Sequence, residues 1–234
     1  MNKIISIARK ELRSYFKTPI AYIILFLTIS IFNVFFFIII DQNRECTLRD
    51  MFKLMEFIFV FIIPILTMRT FAEERRSGTL EFLLTSPTTT FEIVIGKYFG
   101  SLLFLTVMIA LSGTYVLILE IFGTPDQPAI LLGYFGIWLE GALFIAIGIL
   151  TSSLTRNQMI AAMTSYSVLL TFYFSISFVK YADLAYQPII RAISFWSHLE
   201  NLSAGLLVTS DIVYFLSFIV VCLALTKLCL DAKR

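Results

Sequence analysis

Long apolar runs alternate with short polar ones along the chain. Three runs lack Asp, Glu, Lys and Arg for a bilayer's length: Pro19 to Ile40, Tyr98 to Leu119 and Asn157 to Val179. A hydrocarbon core about 30 Å thick takes roughly 20 residues of helix, because only intrahelical bonds satisfy the backbone there. Three further runs fit with an allowance. Phe57 to Met68 is short, but Lys53 and Arg69 bracket it with stems long enough to carry their charges to the surfaces. Ile130 to Leu154 is interrupted only by Glu140, and Ile212 to Thr226 is closed by Lys227. The pattern predicts an all-α membrane protein with six transmembrane helices in a single domain, residues 1–234.

Two flanking segments follow other rules. At 100° per residue, Lys3, Arg9, Lys10, Arg13 and Lys17 fall on one arc of about 120°. Ile4, Ile5, Ala8, Leu12, Tyr15 and Phe16 fall on the opposite arc. This predicts an N-terminal amphipathic interfacial helix over residues 1–18, its cations facing anionic head groups, before Thr18 and Pro19 turn the chain into the membrane. The alternative is a basic topogenic signal with no fixed helix. A secretory signal peptide is excluded, since the following apolar run is too long and no small-residue cleavage site closes it. The second segment, Asp183 to Asp211, carries Pro188, Arg191, His198 and Glu200 among apolar residues. It is too polar for an easy span and too apolar for a free loop. We expect short re-entrant helices within residues 180–211, between spans five and six.

Composition agrees: 59% of residues are hydrophobic, 15% are charged and mean hydropathy is +0.89, which excludes a soluble globular domain. The net charge of +2 gives no footprint for nucleic acid. Charge placement is more telling. With six spans, one side receives thirteen basic residues and the other only Arg44, Arg49, Lys53, Lys180 and Arg191. The positive-inside rule then puts both termini in the cytoplasm.

Chemistry of the usual enzymatic kinds is excluded. Cys46, Cys222 and Cys229 offer no disulfide framework, and His198 is the only histidine, so a paired-His metal site cannot form. The one Gly-Lys pair, Gly96-Lys97, has Phe91 where a P-loop needs its first glycine and Tyr98 where it needs Ser or Thr, so ATP is not hydrolysed here. Ser112-Gly113 has Ala110 in place of the glycine of a nucleophile motif, and the single histidine lies outside the spans. No catalytic and no metal residue is expected.

Polar residues inside the runs have two readings each. Glu140, midway along the fourth, is either a substrate-path or gating residue or a carboxyl holding helices together beside Gly133, Gly136, Gly141, Ala142 and Gly148. Asn33 reads as interhelical glue or, less simply, as part of the same path. Ser165 and Ser167 are expected to bond back to their own helix. His198 near Trp196 reads as packing. Trp138, Trp196, Tyr134, Tyr181 and Tyr186 suit an outer aromatic belt.

The longest inner polar stretch lies between the second and third runs, within residues 69–97. Arg69 to Ser77 extends the second span, Glu73 and Glu74 can pair with Arg76, and Gly78 breaks the helix. Thr79 to Thr85 then forms about two turns, and Ser86 with Pro87 offers a fresh N-cap and first helical position. Read as Arg69-Thr-Phe-Ala-Glu-Glu-Arg-Arg-Ser-Gly-Thr-Leu-Glu-Phe-Leu-Leu-Thr-Ser-Pro87 with Glu92-Ile-Val-Ile-Gly-Lys97, this stretch resembles the signature of ABC-2 type permease subunits. It is closest to the gliding-motility (Gld) and nitrous-oxide-reductase-maturation (Nos) types. His198-Leu-Glu-Asn-Leu-Ser-Ala-Gly-Leu-Leu-Val-Thr-Ser-Asp211, leading into Val213-Tyr-Phe-Leu-Ser217, is similar to the gliding-motility type in particular. The chain departs from the family at Thr88 to Phe91, where a more polar turn is usual.

The resemblance implies a coupling helix that sits in a groove of a separate cytoplasmic ABC ATPase dimer. Its contact would be Glu73, Glu74, Arg75, Arg76, Ser77, Gly78, Thr79, Leu80, Glu81 and Phe82, with Leu80 and Phe82 as apolar anchors. ATP and Mg would bind the partner, none of it this chain. A second permease subunit, identical or related, completes the conduit. A large extracytoplasmic auxiliary protein and membrane lipids are the other expected partners, and the bacterial inner membrane is the expected location. The function implied is ATP-driven export or extrusion of an amphiphilic, lipid-linked or polymeric substrate. The alternative is a non-transporting anchor or assembly factor that passes ATPase-driven motion to an extracytoplasmic partner.

Overall fold

The computed structural model describes residues 2–43, 46–80, 88–179 and 186–232. Among them every regular element is a helix. They are α1 (Asn2–Lys17), α2 (Pro19–Asn43), α3 (Arg49–Thr67), α4 (Arg69–Arg76), α5 (Thr90–Ser112), α6 (Thr114–Phe122), α7 (Gln127–Leu154), α8 (Gln158–Phe178), α9 (Gln187–Ile193), α10 (Phe195–Ser203) and α11 (Thr209–Asp231). Six stretches are long and apolar enough to cross a membrane: α2, α3 continued by α4, α5 continued by α6, α7, α8 and α11. The chain is a multi-pass, all-helical membrane protein.

The second span differs most from expectation. Instead of a short helix held between Lys53 and Arg69, it starts at Arg49 and takes Glu56 inside, 1% exposed. Lys53 remains near the surface because it pairs with Asp50 at 3.1 Å and lies 5.2 Å over the Trp196 ring. The third span also starts earlier, at Thr90. Its N-cap is Thr89 rather than Ser86, because Glu92 completes a capping box: Thr89 N–H donates to Glu92 Oε2 at 2.9 Å, and Glu92 N–H to Thr89 Oγ1 at 3.2 Å. Ser86 and Pro87 lie outside the described residues.

Helix α7 is the core of the bundle, and its glycines are where neighbours enter. A β-carbon at Gly136 would stand 2.8 Å from Leu199, and one at Gly141 would stand 2.6 Å from Leu105. Phe52 and Thr67 occupy the space beside Gly133 and Gly148. Small residues let backbones approach closely where lipid supplies no hydrophobic drive between helices. Helices α2, α8 and α11 are peripheral and turn large apolar side chains such as Phe26, Phe37, Met163 and Val220 outward.

Helix α1 lies along the start of α5, seated on two more glycines. A β-carbon at Gly96 would meet Ile7 at 2.7 Å, and one at Gly100 would meet Glu11 at 2.6 Å. Lys3, Arg9, Lys10, Arg13 and Lys17 are exposed on its other side, and Ile5 of the apolar arc stays exposed as well. At the opposite end of the bundle α9 and α10 fold back onto the spans. Phe195 is fully buried, stacked on Phe172 at 4.9 Å and against Phe144 at 5.3 Å. His198 meets Asp211 at 2.7 Å and stacks on Tyr214 at 4.1 Å, while Asn201 donates to Asp211 at 3.0 Å. The histidine therefore joins α10 to α11 as packing. Tyr181 lies outside the described residues.

Candidate functional site

The polar cluster after the second span is built around an interruption in its own helix. The Ser152 hydroxyl, from the end of α7, inserts at the junction of α3 and α4. It donates to Met68 O at 3.0 Å and accepts from the N–H groups of Phe71 and Ala72, each at 3.1 Å. Those two N–H groups would otherwise continue the ladder from α3, so the inserted oxygen separates α4 as a helix of its own. Four residues on, Arg75 donates to Leu154 O at 2.9 Å and Ser153 O at 3.4 Å, satisfying carbonyls that the end of α7 leaves open. Helix α4 is thus held to α7 at both of its ends.

A second tie runs to α1 and α5 through Lys97, which is only 4% exposed. Its Nζ donates to Glu74 Oε1 at 2.8 Å, Thr70 O at 2.8 Å and Glu11 Oε2 at 3.4 Å, and lies 5.1 Å from the centre of the Phe71 ring. Burial pushes the Glu11 carboxyl above the usual carboxylate range, against the pull of Lys97. The expected partnership of Glu74 with Arg76 gives way to this one, because Lys97 is buried beside it while Arg76 is exposed.

Of the residues expected at the coupling contact, Glu73, Arg76, Ser77, Gly78 and Thr79 are exposed, and Glu74 and Arg75 are half-buried in the ties just described. The Ser77 and Thr79 hydroxyls stand 2.8 Å apart, one donating to the other and the other donating to Glu74 O, which closes the end of α4. Gly78 turns the chain at φ +73°, a left-handed conformation with open space around it. Leu80 differs from expectation: at 5% exposed it packs into the chain's own core, so it is committed inward rather than displayed as an anchor. Glu81 and Phe82 lie outside the described residues.

Within the spans, Glu140 is fully buried and faces Glu56 of α3, close enough for their side chains to interact. Glu56 Oε1 and both Glu140 oxygens have no hydrogen-bond partner among the described residues, which makes their burial among apolar helices costly. Beside Glu56 an open cavity of about 330 Å³ is walled by Tyr173, Phe174 and Trp196. Asn33 is separate from this pair: Tyr115 Oη donates to its Oδ1 at 2.8 Å, joining α2 to α6. Ser167 bonds back to Met163 O at 2.9 Å as expected, whereas the buried Ser165 hydroxyl has no partner among the described residues. No group of His, Cys, Asp and Glu able to hold a metal occurs among the described residues.

Sequence reasoning missed Glu11, Glu56, Lys97 and Ser152. Two of them carry a signal in hindsight. Glu11 follows Ile4 by seven residues and Ile7 by four, so it stands on the packing face of α1, away from the cations. Lys97 lies between Gly96 and Gly100, two positions where α1 packs directly on the backbone of α5. Glu56 and Ser152 become legible only when α7 is placed against α3 and α4.

A sequence 36% identical over 98 residues, 41% of this chain, is described as "Probable multidrug ABC transporter permease YbhR" from Escherichia coli strain K12. The same name and identity apply to its counterpart in Escherichia coli O157:H7. The match covers 26% of those relatives, so the chain spans about a quarter of their length. The family model described as ABC-2 family transporter protein matches residues 5–232, nearly the whole chain, and the chain therefore belongs to that family of ABC transporter permeases.

Proposed function

We propose that this chain is the membrane subunit of an ATP-driven exporter in the bacterial inner membrane, with both termini cytoplasmic and the ATPase on a separate chain. The observation that carries the reading is the double attachment of α4. Its exposed edge, Glu73, Arg76 and the Ser77–Thr79 turn, is free to meet a partner. Its other edge is fixed to α7 through Arg75 and Leu154, and to α1 and α5 through Glu74 and Lys97. A push on the exposed edge would be delivered to three helices together. A dimeric ATPase holding ATP and Mg would supply that push, and a second copy or relative of this chain would complete the conduit.

Charge placement supports the orientation, since the exposed cations of α1 and the α4 cluster share one end of the bundle. The substrate we favour is amphiphilic, lipid-linked or polymeric. The apolar, Phe-rich spans and the relatives' description as probable multidrug permeases support an amphiphile, and the resemblance of residues 198–217 to the gliding-motility type supports a large extracytoplasmic partner. In this reading the Glu56–Glu140 pair gates the path.

The test replaces Glu73, Arg76 and Gly78 together in the assembled transporter. ATPase copurification should fall, and the remaining complex should hydrolyse ATP without moving a labelled amphiphile or lipid. Normal assembly and transport in that variant would overturn the coupling role. A wild-type complex that hydrolyses ATP but moves no substrate would favour the force-transmitting anchor.

A further inference from the structure

Between α1, α4 and α5 lies a cavity of about 240 Å³ lined by Glu11, Arg69, Thr70, Glu73, Glu74 and Lys97. A shallow apolar cleft formed by Ile20, Ala21, Ile24, Ile65 and Leu66 adjoins it, and the two share Tyr15, Thr18 and Arg69 in their walls. Polar cavity and apolar cleft therefore meet where the first two spans adjoin α1.

Three buried polar atoms around the cavity have no hydrogen-bond partner among the described residues: Arg69 Nε, Thr70 Oγ1 and Glu74 Oε2. Thr70 is only 2% exposed. Lys97 cannot serve them, because its ammonium is already spent on Glu11, Glu74 and Thr70 O. Burying such groups unpaired is unfavourable, so an occupant that satisfies them is favoured. It must offer an acceptor to Arg69 and an N–H donor to Glu74 Oε2. The charges set its type. Three carboxylates (Glu11, Glu73 and Glu74) face two cations (Arg69 and Lys97), which disfavours a purely anionic ligand.

We propose that this is a binding site for a zwitterionic phospholipid with a primary amine. Its phosphate pairs with Arg69, its ammonium donates to Glu74 Oε2 beside Glu73, and one acyl chain follows the cleft along Ile24 and Ile65 into the bilayer. A quaternary choline has no N–H for Glu74, and a glycerol head group offers Glu74 only neutral O–H donors and no cation to balance the excess carboxylate. The inference rests on the reading of α1 as a membrane-surface helix. Bound there, the lipid would brace the corner where α1, α2 and α4 meet.

The test uses the purified full-length permease without its ATPase, so it is independent of coupling and transport. Native mass spectrometry follows one bound lipid per chain while phosphatidylethanolamine, phosphatidylcholine and phosphatidylglycerol are exchanged. Phosphatidylethanolamine should be held about tenfold more tightly than the other two, the worth of one charge-assisted hydrogen bond. Arg69→Gln, which loses the phosphate contact common to all three, should weaken them alike, and Glu74→Gln should remove the preference. Ile24→Trp, which fills the cleft but leaves the polar cluster intact, should displace the lipid from a chain that still folds, and it serves if a polar-cluster variant fails to fold. Equal retention of all three lipids, or undiminished binding in the folded Ile24→Trp variant, overturns the proposal. So does equal competition by water-soluble glycerophosphoethanolamine, which would mean a head-group pocket for free zwitterions.

Discussion

Arg75 reaches from α4 to Leu154, its guanidinium donating to the leucine carbonyl at 2.9 Å where α7 runs out of intrahelical donors. A cation at the C-terminal end of a helix also meets the negative end of its dipole, so one side chain supplies both a hydrogen bond and a favourable charge. Because α7 carries Glu140, this contact joins the exposed polar turn directly to the helix with the buried carboxyl.

Removing that contact should separate hydrolysis from transport. We expect Arg75→Ala to cost about 1 kcal/mol of stability and to leave ATPase copurification intact, because the Glu73–Arg76 edge is untouched. Transport per ATP hydrolysed should fall, measured in proteoliposomes with a labelled amphiphile. An unchanged ratio would show that α4 drives α7 by some other route.

The Lys97 tie should behave as a buried ion cluster. Lys97→Met strands the carboxylates of Glu11 and Glu74 and should destabilise the fold by about 3 kcal/mol. Combining it with Glu11→Leu and Glu74→Leu should recover much of the loss, since no charge is then left unpaired. Thermal unfolding in detergent would compare the single and triple variants, and equal stability of the two would argue against the cluster.

Ser152→Ala leaves the N–H groups of Phe71 and Ala72 without their acceptor. The expected cost is about 1–3 kcal/mol, with amide exchange rising at those two positions rather than through α7. Uniform exchange rates across both helices would contradict the insertion.

Gly78→Ala isolates a backbone effect, because nothing lies within 4 Å of the added carbon. It should cost about 1 kcal/mol through the left-handed φ alone, and Gly78→Asn should cost less. The readout is unfolding temperature. A larger loss for Asn than for Ala would point to packing instead.

Glu140→Gln and Glu56→Gln preserve shape while removing the titrating group. If the pair gates the path, each should lower transport with assembly and unfolding temperature nearly unchanged. If the carboxyls only hold α3 against α7, transport should follow stability in both variants.

The sequence by itself determined the membrane environment, the number of spans and the end at which the basic residues gather. These follow from solvent and backbone: apolar runs of bilayer length must be helical, and period and charge can be read one residue at a time. Gly78 as a helix stop and the exposed cations of α1 were legible for the same local reason. Tertiary structure alone decided the destination of the buried polar groups. Glu56 stood unread just before the short run Phe57 to Met68 until α7 brought Glu140 beside it, and Lys97 counted as one more inner-side cation until Gly96 and Gly100 let α1 cover it. Leu80 read as an anchor for a partner and turned into the core. For Glu56 and Lys97 the deciding contact comes from a residue more than twenty positions away, where no local pattern records which helices the glycines allow to meet.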